Sequence, residues 1–187
     1  MLKLFGFISI TIAMLCSTWF LHHTAPLSTA LSENAPDAYM DHVTAMILDK
    51  TGNPRIKIAS PKMMHYAKDD QSHFLHPALT IYRTDCKPWV VTSLHAEAIQ
   101  GMNEINFWQD VVLHHASDRK GPDTVIKTPR LTVYTKTQLA TTQDAITLIQ
   151  PDLISQATGM IADMHESRIQ LLSEARAFYT NINSNKS

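Results

Sequence analysis

Residues 41–60 read DHVTAMILDKTGNPRIKIAS. Apolar and polar positions alternate through DHVTAMILD (41–49) and again through PRIKIAS (54–60), the period of a half-buried strand. Between them Lys50-Thr51-Gly52-Asn53 carries turn residues, and Gly52 can supply the positive φ that a tight reversal needs. The stretch predicts a β-hairpin, and the rest of the chain repeats the theme.

Further short runs rich in Val, Ile, Thr and aromatics follow: HFLHPALTIYRT (73–84), KPWVVTSLHAEAI (87–99), EINFWQDVVLHH (104–115), TVIKTPRLTVYT (124–135), TTQDAITLIQ (141–150) and RIQLLSEARAFY (168–179). Asn, Asp, Gly and Pro bound them. The runs are self-similar. Ile58-x-Ser60-Pro61-x-Met63 resembles Val91-x-Ser93-x-x-Ala96 and Ile126-x-Thr128-Pro129-x-Leu131, with starts 33 and then 35 residues apart. Return segments at 74–81, 105–113 and 140–148 follow, aligning Phe74 with Phe107 and Val111 with Ile146. A hairpin repeated at this period predicts stacked or rolled β units, each burying its face against the next. Proline is excluded from central ladders, so Pro61 and Pro129 mark a kink, a bulge or a sheet edge. The last run would also suit a helix through Ile169, Leu172 and Ala175. The echo of Ser93-Leu-His-Ala-Glu-Ala in Ser173-Glu-Ala-Arg-Ala favours a strand.

Ahead of the β region, residues 4–21 (LFGFISITIAMLCSTWFL) are 18 positions without a charge, enough for a transmembrane helix. Lys3 precedes them and no Lys or Arg follows until Lys50. The positive-inside rule then places the N-terminus in the cytoplasm and the rest outside, with Trp19 at the outer interface. Ser28-Thr29-Ala30 offers the alternative of a cleaved signal peptide, but the apolar run is longer than a typical signal core and ends well before that site. Lipid attachment at Cys16 is disfavoured, because Leu15 stands where a small residue is needed. The resulting organisation is a cytoplasmic start and anchor at 1–21, a polar Pro-containing linker at 22–40, a β domain at 41–180 and a polar tail at 181–187.

The 16 basic and 17 acidic residues nearly cancel, which argues against a nucleic-acid partner. Cys16 and Cys86 cannot meet if the first lies in a membrane, so no disulfide framework is expected. The 10 histidines invite a metal hypothesis. However, His114 and His115 are neighbours on a strand and point to opposite faces, and His73-x-x-His76 lacks a third ligand. No metal and no cofactor is expected. There is no G-x-S-x-G elbow, no P-loop and no dinucleotide fingerprint, and Asp69-Asp70, Glu97 and Glu104 fall in turns or on polar strand faces. No catalytic residue is expected, and a secreted enzyme is the weakest reading.

What the strands do offer is apolar surface. Candidate inward positions are Leu79, Ile81, Val91, Ala96, Ile105, Phe107, Val111, Ile126, Leu131, Val133 and Ile146. They either fill an ordinary core or line a rolled sheet whose apolar trough takes acyl chains. The sequence does not separate filled from open. A membrane tether, which sets the domain beside a lipid source, favours the trough over an anchored scaffold or adhesion domain without lipid.

The layout of short start, helix, linker and β domain resembles the LptC family of lipopolysaccharide export proteins. The opening hairpin VTAMILDKTGNPRIKIASPKMMHY is similar to the family's first strand–turn–strand. Pro77-x-Leu79 followed by Trp89-x-Val91-x-Ser93-x-x-Ala96-x-Ala98 resembles its P-x-L…W-x-V-x-A-x-x-A segment. Ile126-x-Thr128-x-x-Leu131 and Thr158-Gly159-Met160 resemble later positions. The resemblance covers nearly the whole chain. It rests on order and spacing, since no single motif is highly specific, and the many Met and His residues depart from the family's wording.

The resemblance implies a twisted, open β-jellyroll trough on a single inner-membrane helix. It implies a non-enzymatic subunit that accepts lipopolysaccharide from the ABC transporter (LptB, LptF and LptG) and passes it to the periplasmic bridge protein LptA. Both contacts would be strand-to-strand at opposite ends of the trough. Gly52 and Gly159 match glycines that matter for assembly or transport. The edge running through Ser173, Ala175, Ala177 and Tyr179 would meet the bridge protein.

Overall fold

The computed structural model describes residues 35–84, 86–99, 101–119 and 121–179. The described residues from Pro36 onward belong to one compact unit. The expected membrane helix at 4–21 lies outside the described residues, among which no helix is long and apolar enough to cross a membrane.

Among the described residues eleven strand segments follow one another: β1 Ala38–Leu48, β2 Pro54–Tyr66, β3 Gln71–Leu75, β4 Ala78–Arg83, β5 Cys86–Thr92, β6 His95–Ile99, β7 Glu104–His115, β8 Thr124–Tyr134, β9 Leu139–Gln150, β10 Leu153–Asp163 and β11 Arg168–Tyr179. All pairings between them are antiparallel, and all eleven join one sheet. β3 and β4 are two parts of one bent strand, because both pair with β2. β5 and β6 are likewise one bent strand, since both pair with β7. Counted that way, the sheet is a sequential meander of nine strands. The expected all-β rolled sheet is therefore observed, built from consecutive hairpins.

A single line of bends crosses every strand. β2 changes partner at Ser60-Pro61, from β4 at Ala59↔Ala78 to β3 at Lys62↔Leu75. Directly across are His42 on β1, with φ +52°, and His76 between β3 and β4, with φ +48°. The line continues through Ser93-Leu94, then Gln109 and Asp110 on β7 (φ +63° and +54°). It then passes Thr128-Pro129 on β8, Gly159 on β10 (φ +78°) and Glu174 on β11 (φ +51°). Bulges of this kind bend a sheet sharply. Pro61 and Pro129 thus sit where ladder bonds are interrupted, as their chemistry requires. The 33- and 35-residue repeat is this bend, returning on every second strand.

Buried hydroxyls support the bend. Ser60 Oγ lies 2.7 Å from the Lys62 carbonyl and 2.6 Å from that of Leu75. Ser93 Oγ donates to the His95 carbonyl at 2.6 Å, and Thr128 Oγ1 to the Arg130 carbonyl at 3.2 Å. Each serves the residue two positions on, whose carbonyl the bulge has taken from the ladder.

Folded along this line, the sheet has two halves enclosing one core. Cross-strand ladders build it. Ile58, Leu79, Val91, Leu113, Ile126 and Leu148 run across one half in register. In the other half Phe74, Ala96, Phe107 and Leu131 stand in one row, so Ala96 gives the two Phe rings room.

Some segments differ from the sequence reading. β1 begins at Ala38, inside the stretch read as linker, because Tyr39 and Met40 are exposed and give no alternation. β10 Leu153–Asp163 had no strand signal, since Thr158-Gly159 interrupts its apolar pattern at the bend. β11 is a strand, as expected.

Candidate functional site

All eleven inward candidates come together. Leu79 and Ile81 (β4), Val91 (β5), Val111 (β7), Ile126 (β8) and Ile146 (β9) lie on one side of the bend. Ala96 (β6), Ile105 and Phe107 (β7), and Leu131 and Val133 (β8) lie on the other. None is more than 2% exposed. The interior is therefore wholly apolar in this lining and closed by its own side chains. Burial at this level stabilises the fold at roughly 25 cal/mol per Å² of apolar surface removed from water. On the outer face Asn106 Oδ1 accepts a hydrogen bond from Thr132 Oγ1 at 2.8 Å.

The sheet has two edges, β1 and β11. Among the described residues each touches only its inner neighbour, so the meander does not close into a barrel. Both edges project beyond the core, on opposite sides of the bend. In β1 the exposed part is the start, with Tyr39 and Met40, whereas Val43, Ala45 and Ile47 pack on the core. In β11 it is the end: Leu172 to Tyr179 is exposed on both faces, including Ser173, Ala175 and Ala177, and Tyr179 is 82% exposed. Ile169 and Leu171, before the bend, pack inward. The edge residues singled out in the sequence therefore lie together on an open strand.

The two glycines differ. Gly52 has φ +86° in the β1–β2 turn with nothing within 4 Å of an added Cβ, so only its backbone angle favours glycine. The Asp49 carboxylate organises that turn, accepting the N–H groups of Thr51 at 2.8 Å and Asn53 at 2.9 Å and the Thr51 hydroxyl at 2.7 Å. These bonds, the Thr51 hydroxyl first, hold the carboxyl below its usual range. Gly159 instead sits on the bend, against Leu172 of β11.

The histidines are scattered, and among the described residues no group of three or more His, Cys, Asp or Glu is placed to hold a metal. His114 and His115 do face opposite ways. His114 lies 3.2 Å from Asp123 on the outside, while His115 is buried and packs tilted against Trp89, with ring centres 4.6 Å apart. Cys86 is a free, partly exposed thiol. The sequence did not point to Arg55 and Arg83, which reach from one half of the sheet to the other. An isolated arginine at a strand end carries no pattern to read.

No curated protein matches the sequence. Among solved structures, LptH of Pseudomonas aeruginosa, the LptA-homologous periplasmic component of the lipopolysaccharide transport device, shares the fold. The TM-score is 0.53 over 66% of this chain and 93% of LptH, at 6% sequence identity. At that identity the likeness is one of fold. The family described as "Lipopolysaccharide-assembly, LptC-related" matches residues 7–180, almost the full length. The chain belongs to the LptC-related family of lipopolysaccharide-assembly proteins.

Proposed function

We propose that this chain is the inner-membrane-anchored subunit of the lipopolysaccharide transport complex. Residues 1–21 are the cytoplasmic start and anchor, 22–40 the linker, 41–180 the periplasmic domain and 181–187 a polar tail. The domain accepts lipopolysaccharide from the transporter subunits LptB, LptF and LptG and hands it to the bridge protein LptA. Acyl chains enter the apolar interior while the sugars stay in water. ATP hydrolysis belongs to the transporter, so the chain needs no catalytic residue and no cofactor. One observation carries this reading: a family of lipopolysaccharide-assembly proteins matches a bent sheet whose two edges project, unpaired, from one apolar interior. Each acyl CH₂ moved from water into such an interior gains roughly 0.8 kcal/mol. An exposed edge pairs readily with a partner strand, and β11 from Ser173 to Tyr179 is the edge assigned to LptA.

The tight closure of the core favours a second reading, a scaffold that joins transporter and bridge without taking lipid inside. Photo-crosslinking separates the two. A photoreactive residue at Phe107 or Leu131, in cells making lipopolysaccharide, should capture lipid in an ATP-dependent manner, whereas one at the outward Asn106 should not. A folded, membrane-bound protein that captures none from any inward position would leave the scaffold.

A further inference from the structure

Opposite the bend, the turns that end the two halves of the sheet are tied together by two arginines. Arg55 on β2 donates through Nη2 to the Thr135 carbonyl at 2.9 Å and to that of Lys136 at 3.4 Å, in the β8–β9 turn. Arg83 on β4 donates through Nη1 to Ser167 Oγ at 2.6 Å and through Nη2 to the His165 carbonyl at 2.9 Å, in the β10–β11 turn. Among the described residues neither guanidinium has a carboxylate within ion-pair distance. The Asp49 carboxylate borders the same cleft but is committed to its own turn.

Both positive charges are therefore spent on neutral acceptors. A phosphate oxygen is a better one, since charge-assisted bonds to a guanidinium are about twice as strong as neutral ones and its planar fork suits phosphate. A cleft of about 560 Å³ lies at this rim, with Asn53, Arg55, Tyr82, Arg83, Gln138 and His165 on its walls. A lipid with its acyl chains between the halves would place its head at such a rim.

We propose that Arg55 and Arg83 form a head-group site for a phosphorylated, acylated sugar. They hold the rim shut through the carbonyls and hydroxyl of the opposite half, and exchange these for phosphate oxygens as the halves part. The inference rests on the reading that the interior takes acyl chains.

The test is lipid binding to the full chain in detergent micelles, with two probes: bis-phosphorylated lipid A and the same lipid with both phosphates removed. The wild-type protein should prefer the phosphorylated probe by about ten-fold, one decade of affinity. Arg55→Gln with Arg83→Gln should abolish the preference and leave binding of the dephosphorylated probe. Arg55→Lys with Arg83→Lys, which keeps the charge without the fork, should reduce it, and serves if the glutamine variant does not fold. A preference that survives unchanged in these variants overturns the site, as does equal wild-type binding of the two probes. A purely structural clasp would shift both probes alike. Binding of neither probe by the wild type is a different failure: it removes the acyl-chain reading, and the head-group site with it.

Discussion

Leu172 of β11 packs into the space left by the missing side chain of Gly159 on β10. Its Cδ1 lies 3.0 Å, and its Cβ 3.2 Å, from where a Cβ on that glycine would stand. Gly159 also has φ +78° at the bend. Glycine thus meets two demands at once, a left-handed backbone and the close approach of the edge strand. Flanking bonds fix the same junction: Ser173 Oγ donates to the Thr158 carbonyl at 2.9 Å, and Thr158 Oγ1 to the Glu174 carboxylate at 3.1 Å.

Gly159→Ala should therefore destabilise the domain through both terms. The backbone alone costs roughly 1–2 kcal/mol for a left-handed non-glycine residue. Leu172→Ala in the same chain should recover the share of the contact made by Cδ1 and Cγ, but neither the tight Cβ approach nor the backbone part. A double-mutant cycle by urea denaturation measures this, and a coupling energy near zero would refute the steric part of the argument. Bulkier residues at 159 should displace β11 and weaken hand-over to LptA, read as reduced co-purification.

Much of this fold is legible in the sequence because its two periods are strong. Alternation gives the strands, and the recurrence of Ser60-Pro61, Ser93-Leu94 and Thr128-Pro129 gives the hairpin repeat. Every inward candidate, from Leu79 to Ile146, joins the core for the same reason: one face of each strand must be dry. What the sequence hides is where a strand bends without breaking. HFLHPALTIYRT reads as one run, yet His76-Pro77 divides it into β3 and β4. Gln109 and Asp110 bend β7 with no proline or glycine to signal it. The arginine bridges join residues about 80 positions apart, a relation that only folding the sheet in half creates.

The buried hydroxyls make the bend testable residue by residue. The single Ser60 hydroxyl proton lies between two carbonyl acceptors, those of Lys62 and Leu75, and the same oxygen accepts the Lys62 N–H at 3.3 Å. Ser60→Ala leaves those groups unsatisfied in a site only 4% exposed, which should cost about 1–3 kcal/mol. Equilibrium denaturation checks this, and a loss under about 0.5 kcal/mol, the range of ordinary surface substitutions, would mean that another donor takes over.

Acid should loosen the sheet at a second point on the bend. Arg130 Nε donates to Asp144 Oδ2 at 2.8 Å and Nη2 to Oδ1 at 2.9 Å, joining β8 to β9 where their ladder is interrupted between Lys127 and Thr132. The Arg130 hydrogen bond holds the Asp144 carboxyl below its usual range, against the opposing effect of burial. A lowered folded-state value gives stability that is present above the unfolded carboxyl range, about pH 4, and is lost as pH falls through the folded value. The urea midpoint of Asp144→Asn should therefore lie below wild type at pH 7, and the difference should shrink as pH falls below about 4. A constant difference would mean that the asparagine acts through packing and not charge.

If the exposed end of β11 is the proposed LptA edge, shortening it separates partner binding from stability. Glu174 to Tyr179 buries no side chain, whereas Ile169 and Leu171 pack on the core before the bend. A chain ending at Ser173 should keep the core intact. It loses the pairing of Leu153 to Gln156 with Arg176 to Tyr179, and β10 becomes the edge there. If that loss stays near 1 kcal/mol, the thermal midpoint falls by about 2–4 °C for a chain of this length. Leu131→Ala, a core deletion costing about 2–5 kcal/mol, should lower it further. Co-purification with LptA should order the two variants the other way, with the shortened chain losing its partner and Leu131→Ala keeping it wherever it still folds. If the shortened chain still pairs with LptA, the contact lies elsewhere, and the exposed start of β1 at Tyr39 and Met40 is the edge to examine next.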